Sequence, residues 1–118
     1  LGDSDMKAAA VVALIVLAAC QRSPMGQAAA RGKIVIVRAQ CGACHEIPGV
    51  FAANGLVGPP LAGFGRRTMI AGMLPNTRDN LVLWLRYPQK ITPGNAMPDT
   101  GLSEAEARDV AAYLDGLR

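Results

Sequence analysis

Aromatic side chains are scarce in this chain: its 118 residues hold two Phe, two Tyr and one Trp, beside 13 Gly and 8 Pro. That composition builds only a thin core and calls for an apolar body supplied from outside. Histidine is rarer still, with His45 alone, which rules out a centre built on two imidazoles. Net charge is only +3 and no run of Lys or Arg occurs, so a nucleic-acid-binding face is excluded. Neither an internal repeat nor an alternating strand pattern is present. Missing too is an apolar stretch of the roughly 20 residues that a membrane-spanning helix needs; the run Ala8–Ala19 stops at twelve.

Of three cysteines, two stand in Cys41-Gly42-Ala43-Cys44-His45. This CxxCH spacing is the attachment signature of a c-type haem. Two thiols three positions apart can each form a thioether to a haem vinyl group, and the adjoining imidazole can reach the iron. A covalently held haem is also the apolar body that the composition lacks. A zinc or dithiol redox module would use the same CxxC. Zinc wants four ligands, however, and the plausible set here ends at three; a thioredoxin-like motif needs a βαβ setting that is absent.

Met6-Lys7 followed by Ala8–Ala19 has the layout of a bacterial export signal, a short basic start and an apolar middle. Leu17-Ala18-Ala19-Cys20 resembles the lipobox of bacterial lipoproteins, whose cysteine is acylated and becomes the mature N-terminus. Cys20 is otherwise an exported thiol without a partner. The alternative is a plain Ala-x-Ala cleavage site that leaves a soluble periplasmic protein. Residues 20–30, small and polar with Pro24 and Gly26, read as a flexible tether. The expected organisation is therefore an export signal over 1–19 starting at Met6, a tether over 20–30 and one domain over 31–118. Lipid on Cys20 would hold that domain at the periplasmic side of a membrane.

Within the domain, residues 31–40 form a helix candidate, although Ile34-Val35-Ile36-Val37 is β-branched and suits a strand as well. The position just before the haem motif favours helix. Residues 46–73 read as one Gly- and Pro-rich loop, a length abnormal for a compact domain unless it wraps something. Asn76 or Thr77 caps a second helix that carries Leu81, Trp84 and Leu85 and stops before Pro88. A loop over 89–101 follows. The last helix is the clearest, with Ser103-Glu104-Ala105-Glu106 as a capping box and Val110, Tyr113, Leu114 and Leu117 at helical spacing.

Haem iron has two axial positions, and His45 can take one. With no second histidine, the remaining soft ligands are methionines, and a thioether raises the reduction potential by stabilising the ferrous state. Met97 is best situated: it lies 52 residues after His45, between two helices, with Pro93-Gly94 before it and Pro98 after it to stiffen its backbone. Met69 and Met73 are read as core packing.

These residues carry a resemblance. Val57-Gly58-Pro59-Pro60-Leu61, Asn80 to Pro88, Pro93-Gly94-Asn95-Ala96-Met97-Pro98 and the closing Ala112-Tyr113-Leu114 resemble class I cytochrome c. Arg67-Thr68-Met69-Ile70-Ala71-Gly72 through Met97-Pro98 is similar, more narrowly, to the cytochrome c domain fused to subunit II of haem–copper oxidases. The resemblance implies an all-α fold, three to four helices wrapped around one covalent haem, with the first and last helices crossing at a small residue such as Gly32. It implies that the Pro59 carbonyl accepts a hydrogen bond from the haem histidine. It further implies that Arg67, or its neighbour Arg66, reaches a haem propionate, and that Trp84 lies beside the haem.

The function expected is single-electron transfer, Fe²⁺ to Fe³⁺ and back, in a bacterial respiratory chain toward a terminal oxidase, without enzymatic activity or a small-molecule substrate. The alternative is a haem enzyme or gas sensor, peroxidase-like, with an open axial site. Partners would be redox proteins. Arg38, Arg86 and Lys90 are the cations expected near the exposed haem edge, giving weak, salt-sensitive complexes with an acidic partner.

Overall fold

Helix signals and glycine positions together determine how this chain folds. The computed structural model describes the backbone of residues 2–19 and 23–118, and the side chains of 2–13 and 23–118. Helix α1 spans Asp3–Ala19; no helix among the described residues is long and apolar enough to cross a membrane. Cys20 lies outside the described residues.

Helix α2 spans Pro24–Arg38. The Ser23 side chain accepts from the Gly26 amide at its start, and Pro24 occupies the first turn, where its missing N–H costs nothing. Residues 24–30 are thus helical rather than an extended tether, because a capping Ser, a Pro at the first turn and Ala28-Ala29-Ala30 all favour helix. The β-branched run is helical too. Val35 and Ile36 are buried while Ile34 and Val37 face out, so packing against the last helix overrides strand propensity.

That last helix, α5, spans Glu104–Asp115 behind a complete capping box between Ser103 and Glu106. It crosses α2 at Gly32, where a Cβ would overlap the Asp109 carbonyl. Only glycine allows the two backbones to approach so closely. Arg31 then grips Asp109 through two 2.8 Å bonds, and Arg38 reaches Glu106 at 2.5 Å. Both pairs are largely exposed, so they orient the crossing more than they stabilise it. Ala107, Val110, Ala111 and Leu114 supply the buried face of α5.

Helix α3, Arg78–Arg86, is capped by Thr77 and buries Leu81, Val82 and Leu85. Arg78 joins it to Asp115 of α5. The long loop carries more structure than its composition suggests. It holds a short hairpin, β1 (Met69–Ile70) against β2 (Leu74–Pro75), turned by Ala71 and Gly72, both at positive φ. Met69 and Met73 flank this turn at 43% and 55% exposure. Met69 is not a core residue, since the hairpin buries Ile70 in its stead, whereas Met73 lines the central cleft. A one-turn helix, α4 (Pro88–Ile91), follows α3 with Pro88 fully buried at its base. The fold is all-α with this minor hairpin.

Candidate haem site

Helix α2 ends at Ala39, and Gln40 adopts a left-handed conformation that turns the chain into a 3₁₀ turn at Cys41–Ala43. Hydrogen bonds from the Gly55 amide to Gly42 O (3.0 Å) and from the Gly58 amide to Cys44 O (2.7 Å) wrap residues 51–57 around this turn. His45 Nδ1 lies 2.8 Å from the Pro59 carbonyl oxygen. Gly58 is what permits this, because a Cβ there would strike the imidazole.

Cys41, Cys44, His45, Pro59, Arg67, Trp84 and Met97 all line one cleft of about 470 Å³. Its remaining wall is mostly apolar, with Ile36, Leu81, Leu85, Val110 and Leu114 from three helices and Phe64 and Ile70 from the loop. Such a volume falls in the range of about 300–1,000 Å³ typical of ligand pockets. Burial pushes the Cys41 thiol up from its ordinary value, a hydrogen bond at its own backbone opposes this, and Cys44 adds a smaller upward push. Arg67 bonds the carbonyls of Pro60 and Ala62 and stacks over Phe64 at 5.4 Å; it borders the cleft and Arg66 does not.

The family model for cytochrome c matches residues 29–118. The chain belongs to the cytochrome c family. It is 36% identical over 96 residues to cytochrome c oxidase subunit 2 of Alkalihalophilus pseudofirmus, covering 80% of this chain and 27% of that protein. To the protein of the same description from Bacillus subtilis it is 35% identical over 94 residues, covering 76% and 26%. The cytochrome thus spans about a quarter of the length of these curated relatives. No solved structure matches. It is a class I cytochrome c related to oxidase subunit II, a family that carries covalent haem c and transfers electrons.

The cleft suits such a group. Besides its apolar wall, it offers one orphaned polar atom. Thr92 Oγ1 is the buried side-chain oxygen without a hydrogen-bond partner among the described residues, and Thr92 lines the cleft. Buried hydroxyls are normally satisfied, so a polar atom of a bound group belongs beside it. Zinc finds no such support, because no three His, Cys, Asp or Glu among the described residues cluster to hold a metal ion.

Sequence reasoning overlooked the residues that hold the Met97 loop. Gln89 Nε2 donates to the carbonyls of Asn95 and Met97, each at 2.7 Å, and its Oε1 accepts from the Gly94 amide at 3.0 Å. Asn95 Oδ1 accepts from the Met97 amide at 2.7 Å, and its Nδ2 donates to Pro88 O and Thr92 O. The Asn two positions before Met97 was a readable sign, since Asn commonly folds a turn onto the amide two residues on. No comparable sign marks Gln89.

The cations expected at the haem edge do not line the cleft. Arg38 is paired with Glu106, while Arg86 donates to Leu102 O and lies 4.8 Å over the Tyr87 ring. Lys90 is exposed. Around the CxxCH turn the outward side chains are apolar instead: Phe51, Leu56 and Val57 are 99%, 89% and 68% exposed.

Proposed function

We propose that the cytochrome is a monohaem electron carrier, not an enzyme, passing single electrons in a bacterial respiratory chain toward a terminal oxidase. Haem c supplies the one-electron Fe²⁺/Fe³⁺ couple. Cys41 and Cys44 would hold it through thioethers, and His45 and Met97 would be the residues that ligate its iron, leaving no place for a substrate. Pro59 would orient the His45 ring through its carbonyl. Arg67, with donors left after its two backbone bonds, would pair with a propionate, and Trp84 would pack against the bound group.

The observation that carries this reading is that His45 and Met97, far apart in sequence, border one apolar cleft together with both thiols. A potentiometric titration of the haem-loaded protein and of Met97→Leu tests it. Loss of the thioether is expected to lower the midpoint potential markedly; an unchanged potential would remove Met97 from the iron.

Membrane attachment belongs to the same reading. An export signal over residues 1–19, with acylation of Cys20, would leave the domain on the periplasmic side, its folded part beginning within α2. The support is the Leu17-Ala18-Ala19-Cys20 sequence and the exported-thiol argument. Mass spectrometry of membrane-fraction protein would report haem mass, mature N-terminus and acyl chains together. A mature form that starts elsewhere and carries no lipid would end the anchor proposal. Redox partners would meet the CxxCH turn through the exposed Phe51, Leu56 and Val57 more than through charge, Val57 also lining the cleft.

A further inference from the structure

Asn95 ties the loop carrying Met97 to itself and to Pro88, but regular structure contributes nothing. Residues 92–97 form no helix or strand, Gly94 sits at φ +82, and Pro93, Gly94 and Ala96 are exposed. Gln89 supplies what is missing. Its side chain bonds the loop at Gly94, Asn95 and Met97, and its backbone amide reaches the Asp99 carboxylate at 3.1 Å, so the residue grips the chain on both sides of Met97. Gln89 is itself anchored, because it follows the fully buried Pro88 at the start of α4.

We infer that Gln89 is a positioning residue that keeps the Met97 sulfur on the iron; this rests on Met97 being the axial ligand. The physical argument concerns oxidation state. A thioether binds ferric iron weakly, so in that state loop freedom competes with ligation. Two donated bonds and one accepted bond at a single side chain remove that freedom before the ligand binds, which is preorganisation. A merely structural residue would stabilise both oxidation states alike. A positioning residue acts on the ferric thioether bond.

The test uses haem-loaded full-length protein as wild type, Gln89→Met, Gln89→Glu and Met97→Leu. The readouts are the ferric thioether-to-iron charge-transfer band against pH and the ferrous absorption spectrum. Gln89→Met keeps side-chain length without the three bonds; Gln89→Glu keeps the acceptor for Gly94 and loses both donors. In each, the ferrous spectrum is expected to persist while the pH of half-loss of the ferric band falls by about one unit, the scale of two ordinary hydrogen bonds. Should Gln89→Met fail to fold, the nearly isosteric Gln89→Glu carries the same expectation. An unchanged half-loss pH, with the band absent from Met97→Leu, overturns the positioning role and leaves the ligand intact. A band that survives Met97→Leu overturns the ligand assignment, and this inference with it.

Discussion

His45 Nδ1 approaches the Pro59 carbonyl oxygen to 2.8 Å across a gap that Gly58 keeps open. The carbonyl belongs to the backbone, so changing Pro59 does not remove it; Gly58 is the position through which the contact can be altered. Gly58→Ala is expected to push the imidazole off this carbonyl, destabilise the haem-loaded fold by about 1–3 kcal/mol and shift the midpoint potential. Thermal unfolding and potentiometry check this. A variant that matches wild type in both would mean that the ring has room to spare.

The α2–α5 crossing makes a second prediction. Gly32→Ala drives a methyl into the Asp109 carbonyl, a backbone atom that cannot rotate away. Destabilisation at or above the top of the usual range of about 1–3 kcal/mol for overpacking is expected. Chemical denaturation of the haem-loaded protein measures it, and Ile34→Ala on the exposed side of the same helix serves as the mild control.

Acid behaviour follows from Glu106. The Ser103 backbone amide and then the Arg38 guanidinium hold its carboxyl below the ordinary 4.5. A carboxylate depressed in the folded state adds stability that is fully present above its unfolded value and is lost as pH falls through the folded value. Acid unfolding curves of wild type and Glu106→Gln should therefore diverge above the ordinary value of 4.5 and converge only once pH has fallen through the depressed folded value. A constant offset across that range would assign the effect to something other than ionisation.

Partner association should depend little on salt. Because the exposed side chains around the CxxCH turn are the apolar Phe51, Leu56 and Val57, electron-transfer rates with an oxidase are expected to change by less than about threefold between low and high ionic strength, against the far larger range of electrostatic steering. Phe51→Ser should slow the same reaction. Stopped-flow rates at graded salt decide it; a steep decline would return the docking face to its cations.

What could be read in the sequence was what depends on local chemistry. The Ser103–Glu106 box, the CxxCH motif and the Pro-framed Met97 each carry their reason within a few residues. The choice between Asn76 and Thr77 could not be made locally. Thr77 caps α3, while the Asn76 side chain reaches back to the carbonyls of Phe64 and Arg67. The Ile34–Val37 run was ambiguous for the same reason, since its helical state depends on α5, distant in sequence. Met69 was misread as core because a hairpin whose turn includes a non-glycine residue at positive φ leaves no sequence pattern. Gln89 escaped notice because glutamine is ordinary on a helix, and only the folded loop shows its amide fully used.

His45 and Met97 together would leave the haem iron no open position. The absorption spectrum of the purified ferric protein at neutral pH decides whether they do. A low-spin spectrum with a thioether-to-iron charge-transfer band, absent from Met97→Leu, is the expected result. A high-spin five-coordinate ferric iron in the wild type would contradict it.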